Sequence, residues 1–228
     1  MAKRQVDTIS LGVSIATGLY GISFGALSVA SGLTIWQTQV LSLLMFSGGS
    51  QFAFIGVIAA GGVTSLPAAI ASAWMLGVRN GFYALQMKPL LGRLLWRMPF
   101  AAQLTIDEST AVATAQLTNE ETRRGFWLTG GFVFLFWNTL TFVGALLGDA
   151  LGNPSTYGLD AAAAGAFLAL LWPRLSAMQP LVVAVAAAVV AVALTPALPA
   201  GIPILFAAVV ALVVGGFNLF AKQAGAKK

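Results

Sequence analysis

Apolar residues gather in long runs along this chain, without the strict alternation of a half-buried strand. Seven runs stand out, at about 9–31, 36–60, 66–87, 126–148, 158–172, 179–196 and 202–221. A bilayer core about 30 Å thick takes roughly 20 helical residues to cross. The pattern therefore predicts an all-α fold: a polytopic membrane helix bundle of about seven transmembrane helices, the second of them discontinuous. The fifth and sixth runs are short and alanine-rich, as expected of helices that tilt, re-enter or shelter inside a bundle. Prolines 67, 89, 99, 154, 173, 180, 196, 199 and 203 sit mostly at the edges of runs, where a missing N–H does least harm. No tract is long enough for a separate soluble domain, so residues 1–228 read as one transmembrane domain.

Residues 88–125 differ from the rest. Lys88-Pro-Leu-Leu-Gly-Arg93-Leu-Leu-Trp-Arg97 places two arginines four apart beside leucines and a tryptophan. This predicts an amphipathic, cytoplasmic segment lying in the headgroup layer with its cations snorkelling. With seven spans, nine Lys and Arg (88, 93, 97, 123, 124, 174, 222, 227, 228) fall inside against Lys3 and Arg4 outside. Letting residues 99–118 cross as an eighth span changes the count to eight against three. The positive-inside bias leaves both paths open, and the expectation taken is seven spans with the N-terminus outside.

Composition narrows the function. With 58% apolar and 8% charged residues and a mean hydropathy of +0.88, a water-soluble enzyme is excluded, since such surfaces carry roughly a quarter to a third charged residues. The net charge of +5 does not indicate a nucleic-acid partner, because the cations flank apolar runs instead of forming a face. The chain has neither cysteine nor histidine, so disulfides, imidazole or thiolate metal sites and Ser–His–Asp catalysis are absent. No G-x-x-x-x-G-K-[ST] run for ATP occurs. No cofactor, metal or catalytic residue is expected, and no cleavable signal peptide is visible.

Polar residues at mid-bilayer depth need an explanation, because a lipid-facing helix would not choose them. The first run carries Ser14, Gly18, Gly21, Gly25, Ser28 and Gly32 at spacings of three and four, a seam for close helix packing or the side of a substrate path. Ser47-Gly48-Gly49-Ser50-Gln51 falls at the centre of the second run. A break there is tolerated where it lines a cavity or is buried in protein, and its free backbone groups and half-helix N-terminus suit a substrate carboxylate. The bland alternative is a tight crossing point with Gln51 bonded to a neighbour. Arg79, Asn80 and Tyr83 sit deep in the third run, and the best partners for the arginine are Asp107 or Glu108. The alternative is an internal ion pair that merely locks the helix. Asp107, Thr110, Thr114 and Thr118 form a polar stripe, either a pathway wall or one face of a cytoplasmic helix. Asn138, Thr139 and Thr141 read as interhelical hydrogen bonding.

Five segments in order, Leu19-Tyr-Gly-Ile-Ser-Phe-Gly25, Phe46-Ser-Gly-Gly-Ser-Gln-Phe52, Val78-Arg-Asn-Gly-Phe-Tyr83, Leu104-Thr-Ile-Asp-Glu-Ser109 and Gly158-Leu-Asp160 through Pro173, resemble the AzlC family, the large subunits of branched-chain amino acid exporters. Relatives usually carry Asn two residues before the arginine, where this chain has Gly77. The resemblance implies export of leucine, isoleucine and valine, with methionine as a further candidate, across the bacterial cytoplasmic membrane. It also implies a small AzlD-like membrane subunit of about four spans as partner, alongside or instead of a homo-oligomer. The mechanism expected is a secondary transporter driven by the proton motive force. Ser47 to Gln51 with Arg79, Asn80 and Tyr83 would bind substrate, and Asp107 or Glu108 would take the ammonium or a coupling proton. The alternatives are a passive channel for small solutes and a non-transporting scaffold subunit.

Overall fold

A computed structural model of the chain describes residues 2–92, 95–151, 168, 171–172, 175–199 and 201–219. The fifth apolar run, with Asp160, lies almost wholly outside the described residues. What is described is helical, with no strand among the described residues. The helices are α1 (Ala2–Ala30), α2 (Ile35–Leu44), α3 (Gly49–Gly61), α4 (Leu66–Leu91), α5 (Met98–Gln103), α6 (Asp107–Thr114), α7 (Asn119–Leu151), α8 (Met178–Leu194) and α9 (Ile202–Gly216). The stretches Arg4–Ala30, Gly49–Leu91 and Asn119–Leu151 are long and apolar enough to cross a bilayer. Trp74, Phe82, Leu85 and Val192 stand exposed on the outside of the bundle, as lipid-facing side chains do. The all-α membrane bundle is what the sequence leads one to expect, while the second run breaks into two short helices instead of one interrupted span.

α1 and α7 form the spine, and they run parallel. Arg124 grips Asp7 with two bonds of 2.6 and 2.8 Å at one end. Further along, the Ser14 hydroxyl donates to the Thr129 carbonyl at 3.3 Å, Gly18 faces Phe136, Gly21 faces Trp137, and Gly148 faces Ala26. The small-residue stripe of α1 is thus a packing seam, and α7 answers it with Gly144 and Gly148. Close backbone approach of this kind is how membrane helices gain van der Waals contact where lipid provides no hydrophobic drive.

The second apolar run does not cross. α2 starts on a capping box, in which the Gln37 N–H donates to the Thr34 hydroxyl (3.2 Å) and the Thr34 N–H to the Gln37 side-chain carbonyl (2.9 Å). It descends along α7 from Phe142, beside Trp36, to Phe134, beside Phe46. The chain then turns, and α3 climbs back until Gly62, Val63 and Leu66 share an apolar crevice with Ser31, Leu33 and Trp36. α2 and α3 are the arms of a re-entrant hairpin. Helix α4 then returns antiparallel to α3: the Ser65 hydroxyl donates to the Val57 carbonyl at 3.1 Å, and Gly77 lies against Ser50.

Residues 98–114 make a second re-entrant hairpin from the other end. Ala101 of α5 and Ala113 of α6 share an apolar cluster with Met87, Leu91 and Phe126, while the tip between them carries Ile106 into the central cluster with Phe24, Phe52 and Trp137. This corrects the expectation of a cytoplasmic surface segment, and equally that of an eighth crossing at 99–118: α6 starts inside the bundle and ends beside Val6 and Gly125 at the end where α5 began. The long helix α1 followed by one hairpin, and α4 followed by the other, are two like units of opposite orientation. α8 and α9 form an antiparallel pair, with the Gln179 amide on the Val214 carbonyl at 3.4 Å. Gly201, at φ +87° in a left-handed turn, packs against Val57 and Ala68.

This path also corrects the orientation. Arg4, Lys88, Arg97, Arg123 and Arg124 all belong to the end where Asp7 meets Arg124 and where the Arg123 guanidinium bonds the Leu90 carbonyl. The loops 31–34, 62–65 and 195–199 at the other end carry no cation. The bias of Lys and Arg to the cytoplasmic side then puts the start of α1 in the cytoplasm, not outside. Because the chain is free of cysteine, single cysteines report this directly. Ser31→Cys and Val63→Cys are expected to react with an impermeant maleimide from the external face, and Gln5→Cys and Leu117→Cys only after permeabilisation. A spanning second helix would separate Ser31 from Val63.

Candidate functional site

Both hairpin tips meet in the middle of the bundle. At the first, Gly48 adopts φ +58° and ψ −84°, a backbone conformation in which a Cβ is strained. The Gly48 N–H donates to the Gln51 side-chain carbonyl at 3.1 Å, and the Ser47 and Ser50 hydroxyls bond at 2.7 Å. The second tip is built alike. The Ile106 N–H donates to the Ser109 hydroxyl at 3.1 Å, which in turn donates to the Leu104 carbonyl at 2.6 Å. In each tip the residue three positions into the helix reaches back to the capping N–H, leaving the first-turn N–H groups of α3 and α6 ahead of the first helical bonds, Phe52 to Gly48 and Thr110 to Ile106. Such N-termini carry partial positive charge.

Between the tips lies a cavity of about 420 Å³, within the roughly 300–1,000 Å³ of small-molecule sites. The first hairpin lines it with Phe46, Ser47, Gly48, Gly49 and Phe52, and the second with Ile106, Asp107 and Glu108. Arg79 comes from the middle of α4. Its Nη1 lies 2.8 Å from the Asp107 carboxylate, and its Nη2 donates to the Ser47 carbonyl at 3.4 Å. The arginine therefore touches both tips. Glycine at 49 makes room for this, since a Cβ there would sit 3.1 Å from Arg79 Nη2. The Arg79 and Asp107 side chains keep 29% and 24% of their surface exposed, so the pair faces the cavity and is not sealed among packed side chains. The Thr17 hydroxyl of α1 donates to Glu108 at 3.4 Å. Trp137 forms an apolar wall, stacked on Phe24 at 6.0 Å and edge-on to Phe52 at 6.2 Å. Its indole N–H and the Arg79 Nε are buried with no hydrogen-bond partner among the described residues.

Of the residues singled out from the sequence, Ser47, Gly48, Gly49, Arg79, Asp107 and Glu108 line this cavity. Ser50 and Gln51 stand behind it and build the turn. Asn80 lines a neighbouring opening with Ser50 and Gln103, one helical step round α4, and Tyr83 sits a turn nearer the cytoplasmic end. Thr110 is buried, and Thr118 caps α7 through Glu121, so the threonine stripe is not one pathway face. Thr17, Tyr20, Phe46, Phe52, Leu76, Ile106, Val133, Trp137 and Leu171 complete the wall.

All of the cavity lining except Leu171 falls within a family match: residues 12–151 fit the model of the AzlC protein family. The chain belongs to the AzlC family. It is therefore a membrane protein of a transporter-type family. It is also similar to a Helicobacter pylori (strain ATCC 700392 / 26695) protein described as an uncharacterized membrane protein, 25% identical over 173 residues, which are 74% of this chain and 74% of that one. No solved structure matches. In this AzlC protein the family stretch ends with α7, so α8 and α9 lie beyond it, as does Leu171 of the cavity wall.

Proposed function

We propose that this AzlC protein is a secondary transporter that exports branched-chain amino acids, leucine, isoleucine and valine with methionine as a further candidate, across the bacterial cytoplasmic membrane, driven by the proton motive force. One observation carries the reading: two hairpin tips entering from opposite ends meet at a cavity that holds charges of both signs beside an aromatic wall. A zwitterion needs donors for its carboxylate, an acceptor for its ammonium and an apolar surface for its side chain. The α3 N-terminus with Arg79 offers the donors, Glu108 the acceptor, and Phe46, Phe52, Val133 and Trp137 the apolar surface. Units of opposite orientation around a midplane site are the architecture in which one half rocks against the other, so each hairpin is suited to gate the cavity from its own side. A hydrocarbon pocket distinguishes side chains by only about 1–3 kcal/mol per methylene, so selectivity among aliphatic amino acids is expected to be loose.

Tips meeting from both ends would also suit a pore, which makes the channel reading the second one. Counterflow decides between them. Liposomes preloaded with unlabelled leucine should accumulate labelled leucine transiently above the external concentration, which a pore does not do. An uphill flux that collapses with a protonophore supports proton coupling. The scaffold reading drew on the α1 seam, and α7 of the same chain occupies that seam. An AzlD-like subunit or a second copy remains part of the proposal, tested by comparing flux with and without a co-expressed four-span partner.

A further inference from the structure

The two adjacent acids at the start of α6 are not equivalent. Asp107 is paired with Arg79 at 2.8 Å. Glu108 receives its own backbone N–H and the neutral Thr17 hydroxyl at 3.4 Å, and no Lys or Arg lies within ion-pair reach of it among the described residues. Among the described residues the other elements of the wall bring no second cation. α1 contributes Thr17 and Tyr20, the first hairpin Phe46 to Gly49 and Phe52, α7 Val133 and Trp137, and α4 Leu76 and Arg79, while Leu171 comes from beyond α7. With Arg79 matched to Asp107, an ionised Glu108 leaves the described lining of the cavity one negative charge in excess. At mid-bilayer depth such a charge is costly until something positive joins it. Two occupants satisfy it with the same two oxygens: a proton, or a substrate ammonium.

We propose that Glu108 is the coupling group of this transporter, its carboxylate holding either the substrate ammonium or a proton and never both, so that one amino acid leaves for each proton that enters. The inference rests on the transport reading above and adds to it the group, the mutual exclusion and the stoichiometry. Substrate binding on the cytoplasmic side displaces the proton from Glu108 to water. Release outside frees the carboxylate, an external proton neutralises it, and the cavity returns uncharged by its excess. A zwitterion carries no net charge, so each cycle moves one positive charge inward and export responds to membrane potential as well as to a pH gradient.

The test is proton release on binding, in weakly buffered detergent solution with a pH indicator, with tritiated leucine bound to the same sample. Leucine is expected to release close to one proton per molecule bound at pH values where Glu108 is protonated. Its apparent affinity there should fall about tenfold for each unit by which the pH is lowered, the signature of one linked proton. Isocaproate, leucine's skeleton without the amine, should release none. Glu108→Gln should abolish release and the pH dependence together. Glu108→Asp, which keeps the carboxyl, should retain release with a displaced midpoint and guards against a Gln variant that does not fold. Leucine binding without proton release, or release that persists in Glu108→Gln or with isocaproate, overturns the coupling role while leaving transport standing. Absence of leucine binding in the unmodified protein overturns the transport reading itself.

Discussion

Arg79→Gln is expected to lower leucine counterflow by at least about 100-fold, which corresponds to about 2.7 kcal/mol of lost transition-state binding at about 1.36 kcal/mol per factor of ten. The side chain is anchored to Asp107 on one hairpin tip and to the Ser47 carbonyl on the other, so it both offers donors to a carboxylate and ties the tips to α4. Its loss takes the guanidinium away from the Asp107 carboxylate. Breaking a buried pair costs about 3–5 kcal/mol, and since both side chains keep part of their surface toward the cavity, the lower end applies. The separation of roles comes from Arg79→Gln combined with Asp107→Asn. Removing both charges should recover most of the melting temperature lost in the single variant, because the carboxylate that faced Arg79 is neutralised as well, but should not recover flux. Undiminished counterflow in either variant removes Arg79 from the site. Recovery of flux in the double variant would reduce the pair to a structural lock.

What the sequence reveals about this fold follows from what hydropathy measures. A window over 36–60 sums apolar side chains and is blind to a reversal of direction, so two arms of a hairpin read as one span. The reversal is made by Gly48 at φ +58° and by the return of Val63 toward Ser31, the first visible only as a pair of glycines and the second not visible at all. Asp107, Glu108 and their threonines depress the hydropathy of 98–114, and that segment therefore reads as a surface helix even though its tip reaches Phe24. The counts of nine against two and eight against three were poor guides because both assumed the wrong number of reversals. Polarity and glycines at depth single out Ser47, Gly48, Gly49, Arg79, Asp107 and Glu108, all of which stand on the cavity wall. Phe46, Phe52 and Trp137 carry no such mark, since an aromatic wall and an aromatic core have the same composition. Thr17 and Tyr20, one turn apart on α1, were hidden by the glycines of the opposite face.

The seam between α1 and α7 should be the least tolerant surface of the molecule. A Cβ at Gly25 would overlap the Thr141 carbonyl and come within 2.6 Å of the Ala145 nitrogen, and backbone atoms cannot rotate aside as a side chain does. Gly25→Ala must therefore push two long parallel helices apart. Overpacking a core ordinarily costs about 1–3 kcal/mol, and with backbone on both sides of the contact the upper end, about 3 kcal/mol, is expected for alanine. Gly25→Leu should leave no monodisperse protein in detergent. The controls are Gly12→Leu and Gly131→Leu, on the same two helices but with open space around the Cβ position. These should melt at or above the temperature of the unmodified protein, since leucine favours a helix by about 1 kcal/mol over glycine. Because Thr17 and Tyr20 ride on α1 while Val133 and Trp137 ride on α7, any Gly25→Ala protein that does fold should also bind leucine more weakly, its cavity having been widened from the spine. A Gly25→Leu protein that is monodisperse and as stable as the Gly12 control would mean that the two helices do not meet along this face, and the parallel arrangement on which the whole orientation rests would fall with it.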